Sequence, residues 1–128
     1  MSIQLNHTIV AARDKGAAAE FVAGILGLKV GAPFGPFLPV ETANGVTLDF
    51  MDAGTRPVVS QHYAFLVSEE EFDAIFARIK ESDTPYWADP SHHEAGEINR
   101  LDGGRGVYFD DPNGHKLEII TRPYGSGG

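Results

Sequence analysis

Hydrophobic and polar positions in this 128-residue chain fall into short alternating stretches, each set beside a longer run of helical period. Residues 3 to 12 are rich in apolar and β-branched side chains and predict a strand. Asp14 then offers an N-cap for a helix through Ala17-Ala18-Ala19-Glu20-Phe21 to Leu26, and Gly27 stops it. Leu28-Lys29-Val30 and Phe37-Leu38-Pro39-Val40-Glu41 predict short strands, with Pro39 marking an edge, and Gly45 to Met51 predicts another behind the Asn44-Gly45 hairpin signal. After Gly54-Thr55-Arg56-Pro57 the order restarts. A strand from Gln61 to Val67 leads to a capping box at Ser68-Glu69-Glu70-Glu71, and the helix behind it runs through Lys80 with Phe72, Ile75, Phe76 and Ile79 on one face. Pro85-Tyr86-Trp87-Ala88 predicts a short strand and 90–104 a long loop. Gly106 to Asp110 and His115 to Thr121 predict a hairpin around Asp111-Pro112-Asn113-Gly114.

Cut after Thr55, the two pieces superimpose as a repeat. Leu5-Asn6-His7-Thr8-Ile9-Val10 falls on Ser60-Gln61-His62-Tyr63-Ala64-Phe65, and Gly45-Val46-Thr47-Leu48-Asp49-Phe50 falls on Gly114-His115-Lys116-Leu117-Glu118-Ile119. Each half opens on a strand histidine and closes on a strand carboxylate. The expected organisation is one domain over 1–128, built from β-α-β-β-β modules at 3–55 and 60–122, with a loose tail at 123–128. The expected class is α+β, mostly antiparallel, with helices on one face of the sheets.

The two-residue period also assigns faces. His62, Ala64 and Leu66 share one side and Tyr63, Phe65 and Val67 the other, and the larger apolar set belongs against the helix. By the same rule Leu117 and Ile119 enter the core and Glu118 joins His62, while Val46, Leu48 and Phe50 enter the core of the first half and leave Thr47 and Asp49 outside it. Ionisable side chains thus gather on the faces the helices leave free.

Composition narrows the chemistry. Acidic residues outnumber basic ones 18 to 10, for a formal net charge of -8, and the scattered basic residues make no footprint for nucleic acid or an anionic membrane. With no cysteine, thiolates are excluded as nucleophiles or ligands. No apolar run approaches a membrane span and no signal peptide is evident, so a soluble cytoplasmic protein is expected. A carboxylate between Leu117 and Ile119 needs a cation or a proton to be tolerated in a strand. Two neutral imidazoles and a carboxylate suit a divalent ion of the Fe, Mn, Ni, Co or Zn group, with positions left open for substrate. The plainer alternative is a hydrogen-bonded strand histidine and a Glu118 paired with Lys or Arg.

From Leu5-Asn6-His7-Thr8 to Arg122-Pro123, and most specifically over Gly104-Arg105-Gly106-Val107-Tyr108-Phe109-Asp110-Asp111-Pro112-Asn113-Gly114-His115-Lys116-Leu117-Glu118, the chain resembles the vicinal oxygen chelate superfamily. That superfamily includes glyoxalase I, extradiol dioxygenases, fosfomycin-resistance transferases and bleomycin-resistance proteins. The resemblance implies two tandem βαβββ modules forming half-barrel sheets around a cavity. It implies a divalent metal on His7, His62 and Glu118, and a homodimer in which His7 serves either its own or its partner's site. Members use the metal as a Lewis acid on vicinal oxygens, or as the iron of ring-cleaving oxygenation. Asp49 stands where four-ligand members such as glyoxalase I place a Glu, one methylene longer; it is a candidate distant ligand, base or substrate contact. The phosphonate-binding cluster of a fosfomycin transferase is not identifiable.

Phe34, Phe37, Tyr86 and Trp87 lie at matching positions of the two modules, and with His92, Asn99 and Arg100 of the long loop they are candidate lining for a small-molecule pocket. Core packing is the alternative for the aromatics, and a solvated loop for the histidines. Tyr108 and His93 join Asp49 as candidate proton donors or acceptors. His115 is expected to support the hairpin. These residues describe a metal-dependent dioxygenase, lyase or isomerase acting on an aromatic or vicinal-oxygen substrate. The competing function is metal-independent sequestration of an aromatic drug, as in the bleomycin-resistance branch, and a third is a structural module with a vestigial site.

Overall fold

The computed structural model describes residues 3–126, which divide after Val59 into two compact units. The first carries β1 (His7–Ala12), α1 (Lys15–Leu26), β2 (Phe37–Glu41) and β3 (Thr47–Asp52), and its sheet has the order β1-β3-β2. The second carries β4 (His62–Leu66), α2 (Glu69–Glu81), β5 (Tyr86–Trp87), a 3₁₀ turn at Leu101–Gly103, β6 (Gly106–Asp110) and β7 (Lys116–Ile120), in the order β4-β7-β6-β5.

The helix ends follow from their caps. The Asp14 side chain accepts from the Ala17 amide, and Gly27 closes α1 in the left-handed region at φ 75°. In α2 the Ser68 hydroxyl accepts from the Glu71 amide while the Glu71 carboxylate accepts from the Ser68 amide, so the capping box forms in both directions.

One expectation needs correction. Leu28-Lys29-Val30 forms no strand, only a single bridge from Val30 to Val40; the Gly31 amide donates to the Pro39 carbonyl at 2.8 Å, but Pro39 has no amide hydrogen to extend the ladder. The architecture is α+β as expected, with three antiparallel pairings, while β1 pairs parallel to β3 and β4 parallel to β7. The cause is the crossover. The helix returns the chain, β5, β6 and β7 then alternate in direction, and the last of them must run the same way as β4.

Alternation fills each core as predicted. Val10, Ala12, Leu48, Phe50 and Val40 are buried in the first sheet, and Val107, Phe109, Leu117 and Ile119 in the second, where Phe72, Ile75 and Ile79 are the buried residues of α2. Arg105 joins β6 to α2. Its guanidinium lies over the Phe72 ring at 4.3 Å, with Nε 2.8 Å from Glu69 and NH1 2.9 Å from Asp73. Among the described residues no helix is long and apolar enough to cross a membrane.

The described part of the C-terminal stretch makes several contacts. Tyr124 bonds to Glu118, the Gly125 amide donates to Asp102 at 2.9 Å, and Arg122 reaches the Ser126 carbonyl. Residues 127–128 lie outside the described residues.

Candidate functional site

The face of the second sheet turned away from the buried apolar set is built from cross-strand rows. One row joins Ala64, Glu118, Tyr108 and Trp87; its neighbour joins His62, Lys116 and Asp110. His62, at the start of β4, reaches diagonally over Ala64 and brings Nε2 to 3.1 Å from Glu118 Oε1. Its Nδ1 lies 3.1 Å from the Lys116 carbonyl. A carbonyl only accepts, so Nδ1 carries the hydrogen and Nε2 of the neutral ring is left with a lone pair facing a carboxylate oxygen. Two acceptors at that distance need a proton or a cation between them.

Glu118 is 1% exposed. Its other oxygen, Oε2, accepts a hydrogen bond from the Tyr124 hydroxyl. Burial, followed by that bond and the Glu118 charge, pushes the Tyr124 phenol far above its ordinary range and keeps it a donor. Burial also raises the Tyr108 phenol; the Tyr124 hydrogen bond opposes the rise and Glu118 reinforces it. The Tyr108 hydroxyl lies 3.4 Å from that of Tyr124, and its ring is stacked on His62 with centroids 6.0 Å apart. The pairing expected as the plainer alternative, Glu118 with Lys or Arg, is replaced by one with His62 and Tyr124. A buried carboxylate and an imidazole lone pair aimed at one point fit two ligands of a divalent ion. Among the described residues, no three His, Asp or Glu side chains converge into a metal-binding group.

The other candidates separate by face. Trp87 lies in the Tyr108 row and is stacked on His92 at 3.6 Å and 5°. His92 adopts φ 62°, and its Nε2 is 3.5 Å from Asp110 Oδ1 and 3.4 Å from Lys116 Nζ. Tyr86, adjacent in the strand, points the other way and meets Phe76 of α2 edge-on at 5.0 Å, while both it and Trp87 border a cavity with Lys80, Asp83 and Gly96. Asn99 is occupied structurally, donating to the Ala88 carbonyl at 3.0 Å while its backbone pairs with Gly106. His93 has an 81% exposed side chain beside Asp89, and Arg100 is exposed. His115 is buried, its Nδ1 accepting from the Gln61 amide at 3.0 Å, in the supporting role expected of it.

In the first unit His7 is exposed and its Nδ1 sits 2.8 Å from Asn6 Oδ1. Asp49 is half-buried in β3, on the row of Ile9 and Pro39 and on the face away from the core. Phe34 is 73% exposed and closes a tight backbone pairing with the half-buried Phe37. Tyr124 is the site residue that sequence reasoning missed. Its only signal was a tyrosine six residues beyond Glu118, behind an Arg-Pro pair that reads as the end of ordered structure.

The sequence model of the Glyoxalase/Bleomycin resistance protein/Dioxygenase superfamily matches residues 4–119, from before β1 into the Glu118 strand. The chain belongs to this superfamily. Members of the superfamily are commonly enzymes and typically use divalent metals. Among solved structures it is similar to "Oxidase ChaP-H2", at 64% identity over 100% of both chains with a TM-score of 0.97. It is also similar to "Oxidase ChaP-H1", at 60% identity over 97% of this chain and 99% of that one with a TM-score of 0.93. A curated relative, "Glutathione transferase FosA" of Serratia marcescens, is 31% identical over 121 residues, covering 90% of this chain and 78% of that protein.

Proposed function

We propose that the chain is a metal-dependent oxidase of the superfamily, acting on a small aromatic or vicinal-oxygen substrate. Its metal ligands in this reading are His62 and Glu118, with His7 as the third, supplied within the chain or by a second copy in a homodimer. The observation that carries the reading is the Nε2 lone pair of His62 aimed at the buried Glu118 carboxylate. The two oxidases, at 64% and 60% identity, support oxidation over lyase or isomerase chemistry.

A bound divalent ion supplies Lewis-acid polarisation of substrate oxygens and, if it is redox-active, electrons. The chain's own residues do the rest. The Lys116 carbonyl fixes the tautomer and orientation of His62, and Tyr124 holds one oxygen of Glu118. Tyr108, in the row of Glu118 and kept protonated by its burial, is placed to donate a hydrogen bond to a substrate oxygen. Trp87 stands in the same row with one face of its ring against His92, so that the two rings together present a flat edge of the site. Asp49, on the helix-free face of the first sheet, is assigned to proton transfer.

The test is the metal content of protein purified without added metal, wild type against His62→Ala, followed by oxidation assays with Fe(II), Mn(II), Ni(II), Co(II) and Zn(II). A stoichiometric ion lost in the variant is expected. Its absence from both proteins, with silence in every assay, sinks the enzyme reading. The Trp87–His92 stack gives the second reading its observation, since it marks a seat for a flat ring. Tight binding of a polyaromatic antibiotic recovered unchanged would decide for sequestration.

A further inference from the structure

We propose that Tyr124 is a positioning residue that holds Glu118 as a one-oxygen ligand and so keeps a coordination position open for substrate. The proposal rests on the reading of Glu118 as a ligand. A carboxylate binds a metal through one oxygen or through both, and the second mode occupies a further position on the ion. In this chain the choice is biased by hydrogen bonding. Oε1 faces His62 Nε2 at 3.1 Å, whereas Oε2, the other oxygen of the same carboxylate, is engaged by the Tyr124 hydroxyl. Presenting both oxygens to one ion would compete with that bond for Oε2.

Tyr124 is itself held from two directions. The next residue is anchored, the Gly125 amide donating to Asp102 at 2.9 Å, and the Tyr108 hydroxyl stands 3.4 Å from the Tyr124 hydroxyl. Tyr108 also stacks on His62, so the two tyrosines together brace both ligands. Yet Tyr124 is 44% exposed and belongs to no strand or helix. A structural hydrogen bond to a buried carboxylate is ordinarily made from the core; this one is made from a short segment past the last strand. It constrains a ligand without tying the ligand's strand to anything the fold needs.

The experiment compares wild type with Tyr124→Phe, using Co(II) alone as the probe. Affinity is read by chelator competition and coordination number by the intensity of the visible Co(II) absorption. The expected result for the variant is affinity about 10-fold weaker, with weaker absorption as Glu118 takes up its second oxygen, while the melting curve of the metal-free protein is nearly unchanged. Tyr124→Ala should give the same spectrum, because the hydroxyl and not the ring is responsible. Wild-type affinity and an unchanged spectrum in Tyr124→Phe would overturn the proposal and leave the ligand reading standing. Failure of the wild type itself to take up Co(II) would remove Glu118 as a ligand, and the proposal with it. In metal-free protein labelled with ¹³C-tyrosine, the Tyr124 ring-carbon signal should move on Glu118→Gln; a signal that stays put also overturns it.

Discussion

If the Glu118 carboxylate serves a metal rather than the fold, replacing it with methionine should stabilise the metal-free protein. Glu118 is 1% exposed and lies between the buried Leu117 and Ile119. Desolvating such a group costs several kcal/mol in proteins, and a buried charge is often replaced by an apolar side chain of similar volume at a gain of about 1–4 kcal/mol. The gain here belongs near the lower end. Met leaves His62 Nε2 and the Tyr124 hydroxyl without their partner, but the His62 side chain is 49% exposed and Tyr124 44%, so water replaces most of what each loses. The expected net effect is about 1–2 kcal/mol of added stability, which for a chain of this length is a rise of about 4 °C in Tm per kcal/mol. A divalent ion at 100 times its Kd adds about 2.7 kcal/mol to the wild type and nothing to the variant. The order of stabilities should therefore reverse when the ion is added. Urea unfolding of both proteins, in excess chelator and then in saturating Mn(II) or Co(II), measures both halves of the prediction. A Glu118→Met protein more than about 1 kcal/mol less stable than wild type in chelator would show that the carboxylate is structural, and the functional assignment would lose its physical basis.

The capping box of α2 should contribute to the acid limb of stability. The Ser68 backbone amide, and after it the Ser68 hydroxyl, hold the Glu71 carboxyl below its ordinary range, so its contribution is present above the unfolded-state value and is lost as pH falls through the lower folded one. Glu71→Gln should therefore flatten the loss of urea midpoint between pH 7 and pH 3 relative to wild type, and parallel profiles would refute the assignment. Gly104→Ala would place a Cβ 2.6 Å from Thr121 Oγ1, the atom that accepts from the Arg105 amide at 2.8 Å. A loss of about 1–3 kcal/mol is expected, read by thermal melting, and Thr121→Ala introduced beside it should recover part of that loss.

What was legible in the sequence was what local periodicity controls. A two-residue period turns Glu118 and His62 the same way whatever the rest of the chain does, and the caps at Asp14, Gly27 and Ser68 depend on contacts within a few residues. The parallel pairing of β4 with β7 is not visible in either strand alone, because strand direction is set by counting the reversals between the two. Tyr86 and Trp87 were grouped as one aromatic segment although neighbours in a strand cannot share a face. Tyr124 escaped for a different reason. Its bond to Glu118 depends on where a segment without regular structure comes to rest, and no period in the sequence encodes that.

The repeat is legible, but its two copies have diverged in the residue that decides whether a histidine can meet its carboxylate. In the second unit Ala64 lies directly across from Glu118, and its single methyl leaves the space through which His62 reaches the carboxylate. In the first unit the corresponding partner of Asp49 is Ile9, which is 49% exposed and stands between His7 and Asp49 on that face. His7 meets Asn6 instead. The position held by Tyr108 is also changed, since Asp49 has Pro39 on its other side and a pyrrolidine ring offers no hydrogen bond. One module therefore forms its own His–carboxylate pair and braces it with two tyrosines, while the other keeps its histidine outside any such pair. A duplicated unit that retained its symmetry would form two equivalent pairs. This one concentrates its donors in a single module and leaves His7 exposed beside Asn6. Exchanging the deciding residue should restore the missing pair within the first unit: Ile9→Ala gives His7 the room to approach Asp49, and the His7 ring ¹⁵N signals should then shift on Asp49→Asn, whereas with Ile9 in place they should not; signals that ignore Asp49 in both backgrounds would refute the account.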